Sequence, residues 1–235
     1  MKLKFAIAAA ALLSASAAYA APVSLTYNGP VVGPYKTVTV TQTPVTVIGG
    51  NTVAAGAFDM TQVGGGGLGD FFAWCLDLGA YLGTSGEHGY EITNTPFQNG
   101  GVDLMQAGMD RISAVFNANF SADVTSTNVK SAAFQLALWE AVYDDDFNIT
   151  TGDFRAASGD TNVNTAAAGY LSAASTYAGP NLWNVLFLES TDGGVDGDRK
   201  QNLVTVAAVP LPASVLMLLA ALGAIGMTAR CRRAV

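Results

Sequence analysis

Residues 132–144 read AAFQLALWEAVYD, and this stretch decides the fold of the chain. Its apolar residues recur at helical spacing, and Gln135, Trp139 and Tyr143 lie four residues apart on one face of the predicted helix. A face with two large aromatic rings is expected to be buried, and a buried glutamine needs a hydrogen-bond partner. The stretch therefore predicts a core helix that directs a polar amide into the protein.

Two further helices are predicted, one on each side of this core helix. The third helix, residues 164–177, is rich in alanine. The first helix carries an apolar face at helical spacing, formed by Val102, Met105, Met109, Ile112, Val115 and Phe116. The three helices follow one another in the chain and are predicted to form a single helical insertion.

Runs of β-branched and aromatic residues predict strands on both sides of the helices. The runs before the helices are residues 24–27, 37–41, 45–48, 52–60, 71–78 and 88–93. Two short runs after them, residues 185–188 and 202–206, return the chain to the sheet. This order of strands, helices and strands predicts an α+β domain, a β-sandwich or barrel with a helical insertion.

The first 20 residues have the pattern of a secretory signal peptide. Lys2 and Lys4 form a basic start, and a run of apolar and small residues follows. Residues 18–20 read AYA, which is an A-x-A cleavage site. We therefore expect cleavage after residue 20.

The other end of the chain, residues 209–235, carries three features in order. A short motif is followed by an uncharged apolar stretch that reaches residue 229, and then by a basic end. The motif consists of Val209, Pro210, Leu211, Pro212 and Ala213, and the basic end of Arg230, Arg232 and Arg233. The apolar stretch is long enough to enter a bilayer as a transmembrane helix, and the arginines place its end in the cytoplasm. Residues 21–208 would then be exported on a membrane-anchored precursor.

This tail resembles the VPLPA-type C-terminal sorting signals of the PEP-CTERM system. The resemblance implies that an exosortase-like membrane protease cuts at the motif. It also implies that the protein passes to the cell surface or the extracellular matrix of a bacterium. The chain thus divides into a signal peptide (1–20), an exported domain (21–208) and a sorting signal (209–235).

The exported domain is strongly acidic. Five of the 11 Lys and Arg residues lie in the two terminal signals, whereas all 18 Asp and Glu residues lie between them. The domain therefore has a formal net charge of −12. Such a surface repels nucleic acid and favours cations or basic partners, so no nucleic-acid partner is expected.

Only one cysteine, Cys75 in the predicted strand 71–78, belongs to the exported domain, because Cys231 lies in the sorting tail. No intramolecular disulfide can form there. A lone cysteine in a strand is commonly a small buried residue. An unpaired thiol outside the cell is, however, an oxidation hazard unless it is buried or masked.

The segments around Cys75 and Gln135 resemble the thioester domains of bacterial surface adhesins. The similarity covers residues 54–206 and includes WCLD (74–77), DRISAVFN (110–117), QLALW (135–139) and KQNLV (200–204). In that family an internal thioester joins the cysteine sulfur to the glutamine side-chain carbonyl, which implies a bond between Cys75 and Gln135. One departure is Phe134, at a position where the adhesins commonly carry threonine before the glutamine.

The resemblance implies a covalent attachment function. A thioester is an activated acyl group that a lysine amine converts into a stable amide, releasing the cysteine. Trp74, Trp139 and Tyr143 are expected to pack around the bond and keep water out. The expected partners are amine-bearing surface proteins or amino sugars.

Two other interpretations of Cys75 and Gln135 remain open. In the first, they are only core residues of a passive structural component of an extracellular polysaccharide or biofilm matrix. In the second, Cys75 is the nucleophile of a hydrolase, but His88 is the only histidine that could assist it. No motif of conventional catalysis is present, so we expect neither an enzyme nor a cofactor.

No metal site is predicted. His88 has no second His or Cys nearby and is expected to be an exposed turn residue. Two acidic loops, residues 144–148 and 192–198, could collect carboxylate oxygens around Ca²⁺, but neither matches an EF-hand. Solvated acidic loops are the simpler interpretation.

Overall fold

The computed structural model describes residues 21–64, 67–93, 96–97, 104–193 and 199–208. The predicted signal peptide, the sorting motif, the transmembrane helix and the terminal arginines lie outside these residues. Across the described ranges, no helix is both long enough and apolar enough to cross a membrane.

Within the described residues, nine strands form two sheets. In chain order they are β1 (Ala21–Pro30), β2 (Lys36–Gln42), β3 (Thr52–Ala55), β4 (Phe58–Val63), β5 (Asp70–Cys75), β6 (Glu87–Thr93), β7 (Arg155–Ser158), β8 (Trp183–Ser190) and β9 (Leu203–Ala208). Six of them close an antiparallel barrel in the order β1-β4-β5-β9-β8-β6. The closed barrel leaves no unpaired sheet edge.

The other three strands form a small sheet in the order β3-β2-β7. Alternation along β2 explains its placement, because Val38 and Val40 are buried while Thr37 and Thr39 are exposed. The valine face packs toward the helices, since β2 and β3 both contact the central helix of the insertion.

Between β6 and β8, the described part of the chain contains three α-helices: α1 (Gln106–Asn119), α2 (Asn128–Tyr143) and α3 (Thr161–Ser175). The Thr127 hydroxyl caps the start of α2 by accepting a hydrogen bond from the Lys130 N–H at 3.2 Å. Every residue of α2 from 131 to 143 is buried, because α1, α3, β5 and the small sheet surround it. α2 is thus the core helix that the sequence predicts.

The structure agrees with the predicted α+β class and takes the barrel form with a helical insertion. The single strand predicted at 52–60 is divided into β3 and β4 at Gly56, where φ is +152°. A Cβ atom at Gly56 would lie 2.8 Å from the Tyr35 ring, so the close approach of that ring requires glycine.

One prediction of local structure was wrong, and one strand was not predicted. Residues 45–48 form no strand; they lead into a turn at Gly49 and Gly50, both with positive φ, and the Ile48 N–H bonds the Leu78 carbonyl. β7 has no β-branched or aromatic residue, and for that reason its sequence gave no strand signal. Pairing with β2 determines its conformation.

Candidate functional site

Cys75 occupies the last position of β5, where one side of the strand loses its neighbour. Pairing with β4 ends at Ala73, whereas pairing with β9 continues through Leu203 opposite Cys75. On the β4 side the peptide groups of Cys75 therefore need another hydrogen-bond partner.

The side chain of Gln135 supplies that partner. Its Oε1 accepts a hydrogen bond from the Cys75 backbone N–H at 2.9 Å, and its Nε2 donates to the Cys75 carbonyl oxygen at 2.7 Å. Both residues are buried, with Gln135 fully inaccessible and Cys75 only 1% exposed. The structure thus brings the carboxamide of α2 and the cysteine of β5 together.

The Cys75 thiol is held in its neutral form. Its Sγ donates a hydrogen bond to the Asp77 carbonyl oxygen at 3.2 Å. Burial raises the pKa of Cys75 well above its usual range, and the Asp77 carboxylate raises it further, while the Trp139 side chain lowers it. This environment therefore disfavours the thiolate form of Cys75.

Trp139 and Tyr143 both lie against the chain around Cys75. The indole N–H of Trp139 has no conventional hydrogen-bond partner in the described ranges, but it lies close enough to the Cys75 sulfur to influence the pKa of the thiol. The Tyr143 hydroxyl accepts from the Leu78 N–H at 2.9 Å and donates to the Leu76 carbonyl at 3.2 Å. Tyr143 therefore fixes the segment that follows the cysteine.

Trp74 lies in a different environment from the other two predicted packing residues. Its ring contacts Phe116, Phe120 and Phe134 at centroid distances of 5.8, 5.7 and 5.2 Å. Side chains of adjacent strand residues point to opposite faces, so Trp74 points away from the Cys75 side chain. Trp74 anchors β5 to α1 and α2, and Phe134 is a packing residue of the same cluster.

Two residues of the motifs quoted above, Asp77 and Asn202, also contribute to the site, although the sequence analysis assigned them no role. Asp77, 2% exposed, forms an ion pair with Arg199, and its Oδ1 accepts a hydrogen bond from the Gly79 N–H at 2.8 Å. The Asn202 carbonyl accepts from the Leu76 N–H at 2.9 Å. Both contacts join segments more than 120 residues apart, so the partners could not be identified from local sequence.

A cavity of about 370 Å³ lies next to the site. Trp139 forms part of its wall, and Tyr27, Tyr35 and Tyr81 line it together with the exposed Ala54 of β3. Tyr81 is 57% exposed, so the cavity reaches the surface there. Trp139 thus borders both the cavity and the cysteine.

His88 lies in β6 and is half-buried, which corrects the prediction of an exposed turn residue. Its Nδ1 lies 2.5 Å from the Asp192 carboxylate, and its Nε2 lies 3.0 Å from the Ser85 carbonyl. Both ring nitrogens therefore have partners other than Cys75. This arrangement does not support a cysteine–histidine hydrolase.

The first acidic loop folds back on the end of α2. Carboxylate oxygens of Glu140, Asp144 and Asp146 lie within 4.8 Å of one another. Burial raises the pKa of Glu140 to about 8. In the second loop, Asp196 and Asp198 lie outside the described residues.

Comparison with known families identifies the C-terminal tail. Residues 208–233 match the profile of the PEP-CTERM protein-sorting motif. The chain carries a PEP-CTERM sorting motif. This match confirms the sorting signal predicted from Val209–Ala213 and the terminal arginines, and it implies an exported, surface-sorted protein that an exosortase processes. No match was found among curated proteins.

Two solved structures of bacterial proteins are similar to this chain. One is the N-terminal domain of the Streptococcus pyogenes pilus tip adhesin Cpa, with a TM-score of 0.43 and 11% identity over 78% of this chain and 98% of that one. The other is the Bacillus anthracis TIE protein, with a TM-score of 0.41 and 10% identity over 80% of this chain and 39% of that one.

Proposed function

We propose that Cys75 and Gln135 form an internal thioester through which this exported protein attaches covalently to amine-bearing surfaces or matrix. One observation carries the proposal: the only cysteine of the exported domain and the Gln135 carboxamide are buried together, and two hydrogen bonds hold the carboxamide against the cysteine. No charged group is required at the bond itself.

Formation of the bond balances without a co-reactant. The Cys75 sulfur attacks the carboxamide carbon of Gln135, the new S–C bond forms, and the C–N bond breaks. The thiol proton leaves with the amide nitrogen as ammonia. The thioester is neutral, so burial does not oppose it as it opposes a thiolate.

The hydrogen bond from the Cys75 N–H also assists the reaction of the thioester with an amine. The N–H donates to Gln135 Oε1 at 2.9 Å, and this oxygen becomes the carbonyl oxygen of the thioester. When an amine attacks, negative charge develops on the same oxygen, where a preorganised backbone donor stabilises it. The C–S bond then breaks, an amide forms at Gln135, and the Cys75 sulfur takes up the proton released by the amine.

The cavity beside Trp139 is the proposed route for the amine. Three tyrosines and Trp139 line it, and aromatic faces attract an ammonium group. Its apolar wall also favours loss of the ammonium proton, which gives the nucleophilic amine. Because Trp139 borders both cavity and cysteine, movement of its ring would open the thioester to the amine.

The reaction consumes the thioester once, so the domain is not an enzyme in this proposal. The alternative is a passive structural component of the matrix, in which Gln135 only completes the backbone hydrogen bonding of Cys75. The two functions differ in whether Gln135 loses ammonia.

The mass of the intact protein distinguishes them. We expect the exported protein to weigh one ammonia less than its sequence, to lack a reactive thiol, and to gain both methylamine and a free thiol after methylamine treatment. Cys75→Ala and Gln135→Glu should each show the unmodified mass of their own sequence. A wild-type protein of full mass with a titratable Cys75 after denaturation would support the passive matrix component instead.

The sorting motif leads to a separate prediction. We expect exosortase to cleave at Val209–Ala213, so a tag placed after Val235 should separate from the exported domain in a host that has the protease. Replacing Arg230, Arg232 and Arg233 by Gln should weaken membrane orientation before cleavage, because the positive charge that fixes it is removed. A tag that remains on full-length protein in the membrane fraction would show that the tail is a permanent anchor.

A further inference from the structure

The end of α2 and the loop that follows it bring three carboxylates together. Glu140 lies in the last turn of the helix, and Asp144 and Asp146 belong to the loop. One oxygen from each lies within 4.8 Å of the others. Calcium binds oxygen at roughly 2.3–2.6 Å, so ligands on opposite sides of the ion are about 5 Å apart, and the cluster has the dimensions of a coordination shell.

Glu140 is the member of the cluster that needs explaining. It is fully buried, and its Oε1 accepts a hydrogen bond from the Asn148 N–H at 2.9 Å. Its Oε2 is buried, no backbone or side-chain N–H among the described residues donates to it, and the Glu140 carboxyl lies against the Asp146 carboxylate. Burial of an unpaired carboxylate oxygen is costly, and a cation held by the three carboxylates would remove that cost.

The charge of the cluster is not balanced within the described part of the chain, where none of the three carboxylates forms an ion pair with Lys or Arg. Arg155 is near enough to act on Asp146, but its Nε donates to the Gly152 carbonyl at 3.3 Å. The negative end of the α2 dipole also faces this region. Both features favour a bound cation.

At alternate positions the loop has further side chains whose oxygen atoms can coordinate a cation. Asp144, Asp146, Asn148 and Thr150 follow one another at a spacing of two residues, and calcium-binding loops use the first three such positions as ligands. The loop departs from an EF-hand because Ile149 stands where that motif needs glycine, and its buried acid precedes the loop. We propose that Glu140, Asp144 and Asp146 form a Ca²⁺ site that fixes this loop to the end of α2.

The test is calcium binding by the full chain, purified in detergent and stripped with a chelator. Calorimetric titration should show saturable binding at one site with a Kd of about 10⁻⁴–10⁻³ M, as in other extracellular calcium modules. Saturating Ca²⁺ should raise Tm by a few degrees, because the ion binds only the folded protein. This result does not depend on whether the thioester forms.

Asp146→Asn and Glu140→Gln should each weaken binding about tenfold or more, because charged ligand number determines calcium affinity. Asp145→Asn is the matched control, since Asp145 is an exposed acid of the same run outside the cluster, and its affinity should match the wild type. If the Glu140→Gln variant does not fold, the calcium affinities of the Asp146→Asn variant and the Asp145→Asn control still test the site. No saturable binding by the wild type, or an equal loss in the Asp145 control, would overturn the site.

Discussion

Cys75→Ala is expected to abolish every denaturant-resistant adduct that the wild-type protein forms with lysine-rich proteins or amino sugars. The loss should be complete because the thioester is the only activated acyl group in the proposal. Wild-type adducts should form faster at low ionic strength, since the domain carries a formal net charge of −12 and attracts basic partners. Denaturing gels of mixtures with surface extracts, followed by mapping of the linkage to Gln135, measure the effect.

The fold of the variant must be verified in the same experiment. Cys75 is buried and loses only its sulfur in this substitution, so we expect a change in unfolding free energy of about 1–3 kcal/mol and an intact domain. Equal adducts from wild type and variant would contradict the thioester as their source. No adducts from a wild-type protein across a broad panel of amines would favour the passive matrix component.

Local sequence patterns place Cys75 and Gln135 individually, whereas their pairing was implied by the resemblance to thioester domains. Cys75 lies in an aromatic strand, and Gln135 shares a helix face with Trp139 and Tyr143. Helical periodicity over 16 residues fixes which side chains lie together, and α2 has that length. A buried amide on such a face needs a hydrogen-bond partner, and the Cys75 backbone N–H at the end of β5 is that partner.

The remaining parts of the site depend on tertiary contacts that no local pattern indicates. The ion pair of Asp77 with Arg199 joins the segment after β5 to the segment before β9. The aromatic cavity is lined by residues from several separate loops and strands. The position of Trp74 could have been predicted, because adjacent strand residues point to opposite faces. Trp74 packs against Phe116, Phe120 and Phe134 and does not surround the bond together with Trp139.

The acidic loop shows a related limit of sequence reasoning. The run 144–146 suggested a solvated loop, because surface acids are usually solvated. Glu140 lies one helical turn earlier, within the apolar pattern. Its burial beneath the loop could not be predicted from the acidic run 144–146. The cluster exists because α2 ends at Tyr143 and the chain turns back over its last turn.

The second large expected effect concerns how amines reach the buried thioester. A substitution that narrows the entrance should change which amines can react. Ala54→Trp should nearly abolish adducts with lysine side chains of folded proteins while leaving the reaction with methylamine within a few-fold of wild type. Ala54 is exposed and lines the cavity, so an indole there would fill space without entering the core. A bulky amine needs the whole cavity to reach Trp139, whereas methylamine needs only a narrow passage. Release of the Cys75 thiol, followed with a thiol reagent, gives both rates.

Ala157→Trp is the matched control for this size selectivity. Ala157 is exposed on β7, at the opposite edge of the sheet that contains Ala54, and it does not line the cavity. Its rates with both amines should equal those of the wild type. If the Ala54→Trp variant reacts equally slowly with both amines, its fold is disturbed. If its rates with both amines are unchanged, amines reach the thioester by another route. Only selective loss of the bulky amine assigns the aromatic cavity as the entrance to the bond between Cys75 and Gln135.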